Sequence, residues 1–375
     1  MTKPTTLSSD SFKPLLNLLV NDRDAFGAQQ AYEATHHLAT EDGCTPAQAA
    51  AFLTSLKLQN KEDQPEIIAA CAKAMREHAI KVDMSGIKNE FPVDIVGTGG
   101  DGHDTFNVST SAGIVAAGAG ARVTKHGNKA ATSSSGSADL LLSLGCSLNI
   151  PPTDIPALLP STPFIFFFAP LYHPSFAHVG PTRRALPFRT IFNILGPLLN
   201  PGYPKGMIVG VAEHTLGPAF AEGLRLLGVE RALVVCGKEG LDEISIAGET
   251  WAWQLENGVI RNITLHPTRD FGLPTHPLST VRSSSPDANA SLLLGLITPS
   301  SSSPEVQLGD GTNDPEAVRD YILLNSAALL VIAGKASTWK EGVKLARESM
   351  ESGSARKALD AFVKAGKEHG VNVHW

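Results

Sequence analysis

Cysteine is scarce. Four residues in a chain of 375, Cys44, Cys71, Cys146 and Cys236, stand far apart and form no CxxC pair, which excludes both a disulfide framework and a ribbon-type zinc site. Free thiols in a reducing compartment are the expectation. Long hydrophobic runs are missing too. The most apolar stretch, Pro163 to Leu171, falls far short of the roughly 20 residues that span a bilayer and reads as a buried strand. The opening MTKPTTLSSDSF has no apolar core of a secretory signal. Basic surplus is also absent, since 31 Lys and Arg face 37 Asp and Glu, for a net charge of -6. A broad nucleic-acid-binding face would need the opposite balance. These absences leave a soluble, cytoplasmic protein as the expectation, without nucleic acid or membrane as partner.

What remains is ordinary globular composition, 42% hydrophobic and 18% charged, enough for a sizeable core. The length suits two domains, or one large domain with an appendage. The first eighty or so residues read as all-helical. Thr45-Pro46 is a cap followed by proline at the first helical position, and Ala49, Phe52, Leu53 and Leu56 follow at helical spacing. Asp63 and Pro65 open another helix, with Ile68, Cys71, Ala72 and Met75 on one face. Single apolar faces of this kind must be buried in a mini-bundle, a dimer interface or both.

After Pro92 the texture changes. Val93 to Gly97, Met207 to Ala212 and Ala232 to Gly237 read as buried strands separated by helical segments such as Pro218 to Leu227. That alternation predicts an α/β fold, a mostly parallel sheet flanked by helices, with a smaller all-helical N-terminal domain. The expected division is 1–89 for the helical domain, which also recruits helices near 178–203, and 90–375 for the α/β domain. The Ser- and Pro-rich sequence from Val281 to Pro304 reads as a surface excursion with some local structure. A final helix is expected from Ser337 to Gly353. No internal repeat or coiled coil is present.

Chemistry concentrates between Asp94 and Gly145. A strand runs into the glycines of DIVGTGGDG, where missing side chains let backbone N–H groups close on a ligand. Asn107, Ser109 and Thr110 then precede an apolar helix, whose N-terminus suits phosphate. A second unit follows, with the strand RVT, the turn Lys125 to Lys129, and the serine run Thr132 to Ser137 leading into another helix. Two donor-rich helix starts suit a ligand phosphorylated at both ends. Taken singly, the glycine segment is equally a plain turn and the serine run a solvated loop. No Walker A pattern occurs, and GTGGDG does not have dinucleotide-binding spacing.

The combination is more specific than its parts. DIVGTGGDG, NVSTS, KHGNKA and SGSADLLLSLG, in this order and spacing, resemble the signature of the anthranilate phosphoribosyltransferases. Leu171 to Pro201 resembles a second family block and GLDEI (Gly240 to Ile244) a third, and both ends of the chain are similar as well. The resemblance implies transfer of a phosphoribosyl group from phosphoribosyl pyrophosphate to anthranilate, with Mg2+ as cofactor and a homodimer as assembly. It places phosphoribosyl pyrophosphate on Gly97, Gly100, Asp101, Thr105, Asn107, Ser109, Thr110, Lys125, Asn128 and Ser137. It places anthranilate on Gly97, Asn128 and Arg183, with His126, His173 and His178 lining the acceptor channel, and Mg2+ on Ser109, Asp242 and Glu243. An arginine fork pairs bidentately with a carboxylate, so Arg183 suits the orienting of anthranilate. No general base is assigned, because the neutral aromatic amine needs positioning more than deprotonation.

Two residues depart from the family pattern. Ser134 stands where bacterial sequences usually carry lysine, and Lys129 stands where arginine is common. The alternatives are a pyrimidine nucleoside phosphorylase or a non-catalytic nucleic-acid-binding paralogue. The first would not need the Asp242-Glu243 pair or the HGN turn. The second would be basic and would lack both GTGGD and the acidic pair, whereas this chain is acidic and has both.

Overall fold

The structure is a computed structural model that describes residues 7–130, 133–299 and 313–371. Thr132 of the serine run and Pro304 at the end of the Ser/Pro-rich segment lie outside the described residues. The chain opens with four helices: α1 (Ser9–Asn21), α2 (Ala28–Leu38), α3 (Pro46–Leu58) and α4 (Pro65–Glu77). Thr45 caps α3 by accepting from the Gln48 N–H, while the Gln48 side chain accepts from the Thr45 N–H at 2.9 Å. The predicted stripe Ala49, Phe52, Leu53 and Leu56 is buried. Helix α4 begins with Pro65 as expected, but Gln64 holds the capping position rather than Asp63, and its side chain makes no cap bond.

The α/β part starts with β1 (Pro92–Gly97), α5 (Val108–Gly118), β2 (Arg122–Gly127), α6 (Ser137–Ser143), the single turn α7 (Ile155–Leu158) and β3 (Phe164–Phe168). Two short turns, α8 (Ala169–Tyr172) and α10 (Ile191–Ile194), flank α9 (Phe176–Ala185). Next come β4 (Gly206–Gly210), α11 (Leu216–Leu226), β5 (Arg231–Gly237), β6 (Thr250–Glu256) and β7 (Val259–Leu265). The chain closes with α12 (Pro286–Ile297), α13 (Pro315–Ile332), α14 (Trp339–Glu351) and α15 (Ser354–His369).

The seven strands lie in the order β3-β2-β1-β4-β5-β6-β7. The first five in that order run parallel, and β6 and β7 are antiparallel. Because the chain steps from β1 to β2 on one side and returns to β4 on the other, the carboxyl end of β1 is a topological switch point, where open α/β sheets bind ligands. Four strands end there in glycine: Gly97, Gly127, Gly210 and Gly237.

Two apolar cores cover the two faces of the sheet. One gathers α5 and α12 to α15 over Val93, Val123, Ile208 and Leu233. Helix α5, apolar on every side, is buried along its whole middle, as such a helix must be. The other core joins α1 to α4 with Val179, Ile191, Phe192 and Leu198, and with Met207, Val209 and Val234 of the sheet.

Three elements go beyond what the sequence reading specified. The Ser/Pro-rich excursion contains the twelve-residue α12, capped by the Ser285 hydroxyl with Pro286 at its first position. Its cap signal is that of α3, hidden in a run of serines. Gly353 does end α14, at φ 74°, but the chain turns there into α15 rather than stopping. The β6–β7 hairpin turns on Asn257 and Gly258, at φ 51° and 75°, the positive pair that a two-residue hairpin requires.

Candidate active site

A cavity of about 320 Å³ opens at the carboxyl ends of β1 and β2. Of the residues expected to bind phosphoribosyl pyrophosphate, nine line it: Gly97, Gly100, Asp101, Thr105, Asn107, Ser109, Lys125, Asn128 and Ser137. Thr110 does not. It lies one position further into α5, fully buried, with its hydroxyl unpartnered among the described residues. Asp242 and Glu243, far away in sequence, complete the wall.

The glycines explain how the acidic pair gets there. A Cβ at Gly97 would stand 2.2 Å from Asp242 Oδ2, and one at Gly210 would stand 1.5 Å from the Asp242 carbonyl oxygen. Two strand ends must therefore be bare for the turn after β5 to lie across them. Gly99, Gly100 and Gly102 have φ of 73°, 79° and 77°, a backbone path open to glycine at little cost. The first of these donates its N–H to Asp242 Oδ2 at 2.6 Å. The Asp242 N–H in turn donates to Asp101 Oδ2 at 3.4 Å. Thr105 donates its hydroxyl to Glu243 at 3.4 Å, and the Tyr321 hydroxyl of α13 donates to the same oxygen.

Burial, together with the Asp101 carboxylate, pushes Asp242 up to about 7. Burial also raises Glu243 well above the usual carboxylate range, and the Asp242 charge adds to it. Lys125 is buried beneath the cavity floor, donating to the Ile95 carbonyl at 2.5 Å and to Ser109 Oγ at 3.4 Å. Burial lowers its pKa, while Asp94 and Glu243 pull it back up. Asp94 itself lies under the strands, accepting from Asn200 Nδ2 at 2.8 Å and from the His126 N–H at 3.3 Å.

Among the described residues no three carboxylate, histidine or cysteine groups converge into a metal cage. A magnesium ion nevertheless fits the donor set. It takes one or two carboxylates and fills its remaining positions with water and substrate phosphate. Two adjacent carboxylates that both resist ionisation, lining a cavity, are what such an ion would relieve.

Elsewhere the expected residues separate. Of the three histidines, His126 lines the cavity, His173 packs behind it at 5.1 Å between ring centroids, and His178 is exposed on α9. Burial holds His126 well below its ordinary value and lowers His173 to about 4, so both are neutral near pH 7. Arg183 lies on the wall of a second, larger cavity of about 520 Å³, with Arg184, Arg189 and Asn193. Its guanidinium rests 5.5 and 5.4 Å from the ring centroids of Phe176 and Phe192, and its Nε has no partner among the described residues. Arg189, on the wall of the second cavity, stands against Gly100 of the first, whose Cβ position is 3.5 Å from the guanidinium carbon. Arg189, Gly210 and Tyr321 went unnoticed in the sequence, since only proximity in space marks them. Ser134, the departure from lysine, gives both its N–H (2.8 Å) and its hydroxyl to Asp104, pinning the serine loop to the glycine loop.

A crevice at the switch point of a parallel sheet, walled by glycine loops and facing an acidic pair, defines a transferase of phosphorylated sugars. The α/β domain model of the glycosyl transferase family matches residues 89–356, and the helical bundle domain model of that family matches residues 13–79. The chain is 43% identical to a curated protein of Schizosaccharomyces pombe named anthranilate phosphoribosyltransferase, across 94% of this chain and 98% of that one. Two solved structures of the Saccharomyces cerevisiae anthranilate phosphoribosyltransferase are also similar. The one in complex with PRPP and Mg has a TM-score of 0.84 at 33% identity, covering 96% of this chain and 99% of that one. The one in complex with 4-fluoroanthranilate has a TM-score of 0.84 at 31% identity, covering 97% and 100%. The chain belongs to the anthranilate phosphoribosyltransferase family.

Proposed function

We propose that this protein transfers the 5-phosphoribosyl group of phosphoribosyl pyrophosphate to the amine of anthranilate, with release of pyrophosphate, in tryptophan biosynthesis. The observation that carries the reading is the convergence of Asp242 and Glu243 with the glycine loop and the start of α5 around one cavity. In the reaction the amine nitrogen forms a bond to ribose C1 while the bond from C1 to the pyrophosphate oxygen breaks, and the amine proton passes to solvent. Such a displacement needs charge compensation and alignment more than covalent help. The glycine loop, Asn107, Ser109, Thr110 through its backbone at the helix start, Asn128 and Ser137 hold the donor's phosphates and ribose, with Lys125 supplying positive charge below. Bound Mg2+, on Ser109, Asp242 and Glu243, would neutralise the departing diphosphate.

Arg183, on the wall of the second cavity, receives the anthranilate carboxylate, its unpartnered Nε being one of the fork's donors. Gly97 and Asn128 complete the acceptor's place beside His126. His173 contributes by packing against His126, and His178 lies at the outer approach. His126 and His173, neutral near pH 7, orient and exclude water rather than carry protons.

The α/β domain, 90–375, holds the donor. The helical domain, 1–89 with the segment 178–203, contributes the acceptor side and the interface of a homodimer. Exposed Val20 and Leu58 on its surface support that assembly. Light scattering at twice the chain mass is the expected result, and the chain mass alone would overturn it. Four unpaired thiols, three of them buried, support a reducing cytoplasmic location. Mixing protein, anthranilate, phosphoribosyl pyrophosphate and magnesium should quench anthranilate fluorescence in a metal-dependent way. Thymidine with phosphate should stay intact. Cleavage of thymidine, or no quenching, would overturn the proposal.

A further inference from the structure

We infer that Tyr321 and Asn325, one helical turn apart on α13, are positioning residues that fix the acidic turn for the metal–diphosphate group. The inference rests on the metal reading above. Tyr321 is completely buried, and its hydroxyl is spent on the Glu243 carboxylate. Asn325, also buried, clamps the next residue from both sides. Its Oδ1 accepts from the Ile244 N–H at 3.3 Å, and its Nδ2 donates to the Ile244 carbonyl at 3.3 Å. The same Nδ2 bonds the Tyr321 carbonyl at 3.1 Å, tying the two positions into one unit.

The arrangement has a chemical consequence. Tyr321 and Thr105 both donate to Oε2 of Glu243, so that oxygen is occupied and Oε1 is the one left for a ligand. A glutamate has three side-chain torsions, and without these bonds its carboxylate would sample several rotamers. Held in one rotamer, it meets a cation at no further ordering cost, which is preorganisation in the ordinary sense. Helix α13 is a rigid carrier for this task, because its flanks are packed into the core below the sheet. A buried tyrosine hydroxyl could have been replaced by phenylalanine at no loss of packing, so its presence here answers to the carboxylate.

The test is a double-mutant cycle on the full-length protein with Tyr321→Phe, Glu243→Gln and the pair. Mn2+ retention is read by electron paramagnetic resonance in the presence of inorganic pyrophosphate, and the melting temperature is read without metal. Removing one charge-assisted hydrogen bond should weaken Mn2+ retention by about tenfold to a hundredfold. The apparent KM for phosphoribosyl pyrophosphate should rise with it, while the KM for anthranilate stays unchanged. In the Glu243→Gln background the tyrosine change should add nothing, because Tyr321 acts through that carboxylate. Additive losses, unchanged Mn2+ retention, or a lowered melting temperature with normal retention would each overturn the inference. If Glu243→Gln itself leaves Mn2+ retention intact, the metal assignment fails first and this inference falls with it. Should Tyr321→Phe not fold, Asn325→Ser takes its place as a single variant; weakened Mn2+ retention is then expected, and unchanged retention would overturn the inference.

Discussion

A single methyl group at Gly210 should disable the protein without touching any ligand. Gly210 ends β4 with φ outside the positive region, so alanine suits the backbone there and the effect is steric. The added Cβ would lie 1.5 Å from the Asp242 carbonyl oxygen and 2.3 Å from its carbon. Ordinary contact begins near 3.4 Å, so the Asp242 backbone must withdraw by about 2 Å. The 2.6 Å bond from the Gly99 N–H to Asp242 Oδ2 cannot survive that shift. Misplacement by about 1 Å can cost a hundredfold in rate, so Gly210→Ala should lower kcat/KM by at least about a hundredfold. Overpacking of this kind costs about 1–3 kcal/mol of stability, leaving a folded variant with a lowered melting temperature. The assay is the metal-dependent loss of anthranilate fluorescence, with melting followed in parallel. Gly248→Ala is the control, because its Cβ would meet nothing within 4 Å, and its activity should stay within about twofold of the parent. A folded Gly210→Ala protein with parental turnover would refute the reasoning, since the turn could then not depend on the bare strand end.

The double change Asp242→Ala with Glu243→Ala should cut turnover by orders of magnitude and leave the circular dichroism spectrum intact; undiminished turnover would remove the metal assignment. The raised Asp242 pKa has a signed consequence for stability. The unfolded chain gives up this proton near 3.8 and the folded, metal-free chain near 7, so the stabilising contribution of the protonated form is lost as pH rises between those values. His126 and His173, with lowered values, act in the opposite sense below about 6.5, so a direct comparison isolates the carboxyl. Without metal, Asp242→Asn should therefore melt higher than the parent at pH 8 and equally at pH 4, and an equal gain at both would contradict the assignment. Arg183→Lys keeps the charge but loses the fork, so the KM for anthranilate should rise about tenfold with that for phosphoribosyl pyrophosphate unmoved; a change in the donor's KM alone would place Arg183 on the wrong substrate.

The linear sequence determined what local physics decides. Thr45-Pro46 with its apolar stripe reads as a helix start, and Val93 to Gly97 as a strand running into a turn, and both form as read. The order of glycine loop, helix start and serine loop carried the family and picked out nine residues that line one cavity. Boundaries and continuations were less legible. Ser285-Pro286 was lost among serines, and Gly353 announces the end of one helix in the same way whether or not another follows. What only the tertiary structure decided is which distant pieces meet. Nothing near Gly210 signals that it must stay bare for a carbonyl of the turn after β5, or near Tyr321 that its hydroxyl serves Glu243. Nor does spacing separate His126, on the cavity wall, from His173 behind it and His178 in solvent, because that depends on which side of a strand end or short helix faces the crevice. Burial and approach are properties of the packed sheet, and the raised carboxylates, the neutral histidines and the bare strand ends all follow from it.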